Sequence, residues 1–137
     1  AALKTKPDEI VVFGAASEAF SQKNINCSMA ESIERFAPVV QAARDAGIAV
    51  RGAMSCTVGC PYEGDIAPER VAHLAGLMKS IGVQRVDVAD TIGVGTPLKV
   101  QRAIEATGGA MVDVLRGRLL AQAGEPQPCR QPLAVAL

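Results

Sequence analysis

An α/β fold built from about three consecutive βα units with parallel strands is predicted, on three observations. Short β-branched runs begin near residues 9, 48 and 83. Each is followed by apolar residues at helical spacing, framed by helix-capping residues. The repeat of ~35–40 residues suits one βαβ unit, and short apolar strands between amphipathic helices imply a parallel sheet. This pattern alone fits either a piece of a (β/α) barrel or a small open sheet.

The elements follow in order. Glu9 to Phe13 is a β-branched run ending at Gly14 and reads as a strand. Polar residues 17–27 read as a loop. Ser28 and Glu31 then match a capping box, in which each side chain satisfies a free backbone donor at a helix start. Ile33, Phe36, Val39, Val40 and Ala43 continue at helical spacing. Pro38 lies inside that pattern, so a kink or local break is expected there, and Gly47 suits the end. A second strand runs from Ile48 to about Ser55, and a loop carries Cys56 to Ile66. Pro68 suits a first helical turn, with Val71, Leu74, Leu77, Met78 and Ile81 as the apolar face and Gly82 as the stop. Val83 to Ala89 is the third strand; Thr96 and Pro97 open a helix to about Ala106. Beyond Thr107 the character changes. Met111 to Leu120 is helix-like but interrupted by Gly117, and residues 123–137, with three prolines, are expected to fray. The predicted organisation is one partial barrel-type segment over residues 1–107 and a divergent tail over 108–137.

Composition narrows the function. With 49% apolar and 20% charged residues the chain can bury a core, which argues against disorder. Fourteen basic and fourteen acidic residues cancel, so neither nucleic acid nor an anionic membrane is an expected partner. No apolar run approaches the ~20 residues of a membrane span. The first residues lack an initiator Met and the apolar centre of a signal peptide, so the chain is expected to begin inside something longer. Cys56 and Cys60, with three residues between them and no nearby histidine, lack zinc-site spacing and read as buried free thiols. The sole histidine, His73, reads as a partly covered structural residue in the second major helix.

Four blocks follow the predicted strands. Residues 13–28 read Phe-Gly-Ala-Ala-Ser-Glu-Ala-Phe-Ser-Gln-Lys-Asn-Ile-Asn-Cys-Ser, and residues 50–56 read Val-Arg-Gly-Ala-Met-Ser-Cys. Residues 59–64 read Gly-Cys-Pro-Tyr-Glu-Gly, and residues 90–97 read Asp-Thr-Ile-Gly-Val-Gly-Thr-Pro. Over roughly residues 8–106 these blocks together resemble the 3-hydroxy-3-methylglutaryl-CoA lyase family. The resemblance implies a partial TIM (β/α)8 barrel, the middle of such an enzyme without either end. It also implies metal-dependent retro-Claisen cleavage of 3-hydroxy-3-methylglutaryl-CoA to acetyl-CoA and acetoacetate. Homocitrate or isopropylmalate synthases and biotin-enzyme carboxyltransferases use a similar barrel, but do not in general share the first and third blocks.

The resemblance also implies a division of labour. Family members hold Mg²⁺ or Mn²⁺ with a first-strand Asp, a strand-seven His pair and a later Asn, and use a late-loop Cys in catalysis. None of these has a counterpart here, so no cation is expected to bind tightly to this chain and no metal ligand is assigned. Gly59 to Tyr62 looks locally like that late cysteine loop, but its flanks match an earlier one, so Cys60 does not inherit the catalytic role. A family His-x-His-Asp motif is also missing after Thr107; divergence or a change of reading frame there would both remove it.

Asp90 is the catalytic candidate, at the end of a strand where a barrel places its chemistry. The alternative is an Asp that only ties its loop by accepting from the amides of Ile92 or Gly93. Arg51, Ser55, Thr91 and Asn24 are the substrate-binding candidates. Arg51 interrupts an apolar strand and is expected to find a carboxylate among Glu18, Asp87 and Asp90, either as a structural pair or as a clamp for a substrate carboxylate. Ser55 shares its parity and therefore its face. Thr91 offers a hydroxyl to substrate or to its own turn, and Asn24 lies in the first loop. One departure from the family is Ala53, where Tyr is usual.

The implied partner is acyl-CoA in the intact enzyme. Three parallel strands alone leave open edges and an uncovered face, so self-association is expected. The alternative reading is a non-catalytic fragment acting only by association, or a degenerate product. The compartment implied is cytoplasmic if bacterial, with mitochondrial matrix or peroxisome for a eukaryotic source.

Overall fold

A computed structural model describes residues 7–108 and the backbone of Leu133–Ala134. The helix-like segment and frayed tail expected over residues 109–137 otherwise lie outside the described residues. Strand β1 (Glu9–Ala15) is followed by helices α1 (Glu18–Ile25) and α2 (Met29–Asp45), then β2 (Ala49–Ser55). Two short strands, β3 (Gly59–Cys60) and β4 (Gly64–Asp65), precede α3 (Pro68–Ser80), β5 (Arg85–Val88) and α4 (Pro97–Ala106). A last short strand, β6, is Leu133–Ala134.

The sheet order is β5-β2-β1-β6, and all pairs are parallel. β1 and β2 pair over their full length, from Glu9 opposite Ala49 to Ala15 opposite Ser55. β5 continues that register, with Arg51 opposite Arg85 and Met54 opposite Val88. Strand alternation therefore sorts the side chains identically in all three strands. Ile10, Val12, Val50, Met54, Val86 and Val88 are buried, whereas Val11, Phe13, Arg51, Ala53 and Asp87 are only half-buried.

The buried face is where the helices sit. α2 lays Ile33, Phe36, Val40 and Ala43 into the core, and α3 contributes Val71, Leu74, Ala75 and Met78. Met78 reaches the sheet because two strand positions lack a side chain. A Cβ at Gly14 would meet Met78 Cε at 2.7 Å, and one at Gly52 would meet Met78 Sδ at 2.5 Å. Helices thus cover one side of an open parallel sheet, the arrangement of a barrel segment rather than of a doubly wound sheet. No closed barrel forms among the described residues.

Several expectations are corrected. Residues 18–25 are a helix rather than a loop: Ser17 caps it by accepting from Phe20 N–H, and Asn26 ends it in the left-handed region at φ 51°. Pro38 does not break α2. It lies on the exposed side, as does Glu34, whose carbonyl loses its usual donor and can be hydrated there. The third strand is shorter than expected, and the 56–66 loop contains the β3–β4 ribbon. His73 is exposed, because it falls between the buried positions Val71 and Leu74 on the opposite side of the turn. The capping box at Ser28 and Glu31 forms as expected.

Met78→Ala should destabilise the fold by about 3 kcal/mol, because a wholly buried side chain leaves a cavity over two glycines. Chemical denaturation checks this; a loss below about 1 kcal/mol would show that α3 does not anchor the sheet.

Candidate functional site

Parallel pairing in register brings the carboxyl ends of β1, β2 and β5 to one edge of the sheet, and the loops leaving them interlock. Ala16 N–H donates to the Ser55 carbonyl at 2.9 Å, and Ala89 N–H to the Met54 carbonyl at 3.1 Å. The Thr57 hydroxyl, itself buried, donates to the Ala89 carbonyl at 2.8 Å. Cys56 takes up a left-handed conformation, φ 56°, and its N–H donates to Thr91 Oγ1 at 2.8 Å.

Asp90 organises the loop after β5. Its Oδ1 accepts from Gly93 N–H at 3.0 Å and Val94 N–H at 3.2 Å, and its Oδ2 from Gly95 N–H at 2.8 Å. Gly95 is needed for that approach, since a Cβ there would lie 2.9 Å from Asp90 Oδ2. The carboxylate is nonetheless exposed. The expected loop-tying bonds are therefore present, to Gly93, Val94 and Gly95 rather than Ile92. Ile92 and Val94 remain exposed, with Val94 lying over Gly59 of the ribbon.

Arg51 is a centre of charge on the half-buried sheet face. Its Nε donates to Glu9 Oε2 at 3.0 Å, and its Nη1 pairs with Asp87 Oδ2. Glu9 Oε1 takes Arg85 Nη2 at 2.6 Å. Asp87 was among the expected partners; Glu9 was not, and Glu18 instead accepts from Met29 N–H. The β1–β2 register, with Val11 opposite Arg51, puts Glu9 on the same face as Arg51 and one same-face position away. Burial raises the Asp87 pKa against the opposing pull of Arg51, and its Oδ1 is buried without a partner. Arg51, Glu9 and Asp87 side chains are 17%, 18% and 14% exposed, so this is an interior ion cluster rather than a solvated one.

The candidates divide into three places. Ser55, Asp90 and Thr91 share the mouth. Arg51 lies on the face of Ser55 but about 13 Å further down the strand at ~3.3 Å per residue. Asn24 is exposed on α1, and no hydrogen bond among the described residues joins it to the others. α1 is itself clamped to the ribbon: Ala19 N–H donates to Glu63 Oε1 at 2.7 Å, Glu63 pairs with Arg70, and Lys23 Nζ sits 4.9 Å above the Tyr62 ring. This clamp was missed because residues 17–27 read as a loop. No group of three or more His, Cys, Asp or Glu converges among the described residues. With Asp90 held by amides and Asp87 by Arg51, these residues do not fit a divalent-cation centre.

Two outcomes follow. Arg51→Ala should cost about 3 kcal/mol of unfolding free energy, since it removes the guanidinium from the half-buried Asp87 and leaves Glu9 to the more exposed Arg85. Although burial opposes it, the Ala19 amide and Arg70 hold the Glu63 pKa below its ordinary value. A lowered carboxylate pKa adds stability above the unfolded value that is lost as pH falls toward the folded one. Amide exchange of α1 should therefore accelerate below the ordinary glutamate range, and Glu63→Gln should flatten that dependence.

The HMGL-like family model matches residues 1–114. Over 119 residues the chain is 50% identical to the 3-hydroxy-3-isohexenylglutaryl-CoA/hydroxy-methylglutaryl-CoA lyase of Pseudomonas aeruginosa, covering 87% of this chain and 39% of that protein. It is 52% identical over 97 residues to the mitochondrial hydroxymethylglutaryl-CoA lyase of Homo sapiens, covering 71% and 30%. The crystal structure of hydroxymethylglutaryl-CoA lyase from Pseudomonas aeruginosa superposes with a TM-score of 0.74 at 44% identity, covering 81% of this chain and 38% of that one. The chain thus spans well under half the length of these relatives. An open parallel sheet with helices on one face, the interlocked loops at its carboxyl edge and the match over residues 1–114 place this chain in the HMGL-like family.

Proposed function

We propose that the chain supplies a sector of the active site of a hydroxymethylglutaryl-CoA lyase. That enzyme cleaves 3-hydroxy-3-methylglutaryl-CoA to acetyl-CoA and acetoacetate in a metal-dependent retro-Claisen reaction. The observation that carries this reading is the Asp90–Thr91 loop, fixed by four hydrogen bonds at the mouth of a sheet whose relatives are lyases. Asp90 is the catalytic group, placed to orient the hydroxyl end of the substrate. Thr91 and Ser55 hydrogen-bond the acyl portion, Asn24 contacts the CoA portion from α1, and Arg51 acts from below on substrate charge. The family's cation ligands have no counterpart in this sequence, and the chain alone is expected to be inactive. The relative that also acts on an isohexenylglutaryl-CoA supports a wider acyl-CoA specificity as a variant of the same reading.

A second reading, association without catalysis, is favoured by one observation: Val11, Phe13 and Ala53 form a half-exposed apolar strip on the sheet face that the described helices leave uncovered. This strip and the β5 edge are the surfaces for self-association. A bacterial cytoplasm is the proposed compartment, with mitochondrial matrix or peroxisome for a eukaryotic source.

Acetoacetate release from 3-hydroxy-3-methylglutaryl-CoA with Mg²⁺ or Mn²⁺ should be undetectable for the chain alone, and calorimetry should find no micromolar cation site. Supplying the uncovered segments of the Pseudomonas relative should restore cleavage, and Asp90→Asn in that assembly should lower kcat about 100-fold. No cleavage in the restored assembly would overturn the lyase reading. In sedimentation the chain alone should self-associate; a monodisperse monomer with a sharp melt would reject the second reading.

A further inference from the structure

A cavity of about 160 Å³ lies between the start of α3 and the face of α4, apart from the groups assigned above. Val58 and Ile66, both buried, and the ring of Pro68 give it apolar walls. Buried Thr57 marks its inner end and exposed Arg102 its rim. The Thr57 hydroxyl spends its hydrogen on the Ala89 carbonyl at 2.8 Å. An oxygen left only to accept disfavours a carboxylate at the inner end.

The charges sit with the rim. Lys99 Nζ pairs with Asp65 Oδ1 at 2.6 Å, which ties α4 to the end of the β3–β4 ribbon. Arg102, nearly one helical turn on, has no ion-pair or hydrogen-bond partner among the described residues. Two cations against one carboxylate leave one positive charge over, which suits a single negative charge on a ligand. A cavity of this volume holds a molecule the size of benzene, about six non-hydrogen atoms.

We propose that this cavity binds a short unbranched monocarboxylate of about four carbons, its carboxylate on Arg102 and its chain against Val58 and Ile66. Asp65 competes with such a ligand for Lys99. The site bears on the Asp90 loop from behind. A Cβ at Gly95 would lie 3.1 Å from Val58 Cγ2, so Val58 backs the amides that Asp90 holds. An acid packed against Val58 limits its movement and steadies that loop. This inference does not depend on lyase activity.

Ligand-observed saturation-transfer NMR on the full chain tests it, with butyrate as the probe. Butyramide serves as the uncharged isostere, and chloride at equal ionic strength as the salt control. Butyrate should bind saturably with a Kd of about 1 mM, ordinary for so small a ligand, and butyramide about 10-fold more weakly. Arg102→Gln should weaken butyrate about 10-fold, and Asp65→Asn, which releases Lys99, should tighten it about 3-fold. Both positions are exposed, so neither change threatens folding. Bound butyrate should also slow amide exchange at Val58 and over residues 93–95. Binding that does not saturate, equal binding of butyramide, or indifference to Arg102→Gln would overturn the proposal. Slowed exchange confined to segments outside residues 57–66 and 93–102 would do the same.

Discussion

Everything at the candidate site depends on the unbroken parallel register between β1, β2 and β5. Because Glu9 pairs with Ala49 and Ala15 with Ser55, and β5 enters in the same phase, all three strands end on one edge. A slip of one residue would send Arg51 and Ser55 to the helix side and Val50 and Met54 to the open side, reversing which face is apolar. The register is fixed from the helix side, where Met78 fills the notch made by Gly14 and Gly52. A side chain at either glycine would force the Met78 side chain out of that notch.

The helix-free face has a different logic. Its apolar strip is interrupted by Glu9, Arg51, Arg85 and Asp87, which satisfy one another across three strands. Arg51 is tolerable among apolar neighbours because two carboxylates meet its guanidinium. The same pairing leaves Asp87 Oδ1 buried and unmatched, so the cluster has unused hydrogen-bonding capacity.

At the mouth, backbone groups bear most of the load. Asp90, Thr91, Glu63 and Ser17 all spend side-chain oxygens on backbone amides, Asp90 within its own loop, Ser17 and Glu63 at the start of α1 and Thr91 on Cys56. This makes the site rigid before any ligand arrives, which favours precise orientation. It also means that a residue such as Asp90 cannot be assigned a purely chemical or purely structural part: the bonds that hold its loop also fix where its exposed carboxylate stands.

The sequence by itself determined the order of the main strands and helices, the helix starts at Ser28, Pro68 and Thr96, the parity that puts Arg51 and Ser55 on one face, and the family blocks. These are local or periodic properties, set by backbone propensity and alternation over a few residues. It did not disclose α1, because polar residues 18–25 carry a weak apolar face and the helix depends on Ser17 at its start and Glu63 from a distant ribbon. Nor did it disclose Glu9 as a partner of Arg51, or Ser17 as a partner of Cys60. Those contacts join residues about 40 positions apart, and only tertiary structure decides them, since they exist only after the strands have chosen their register.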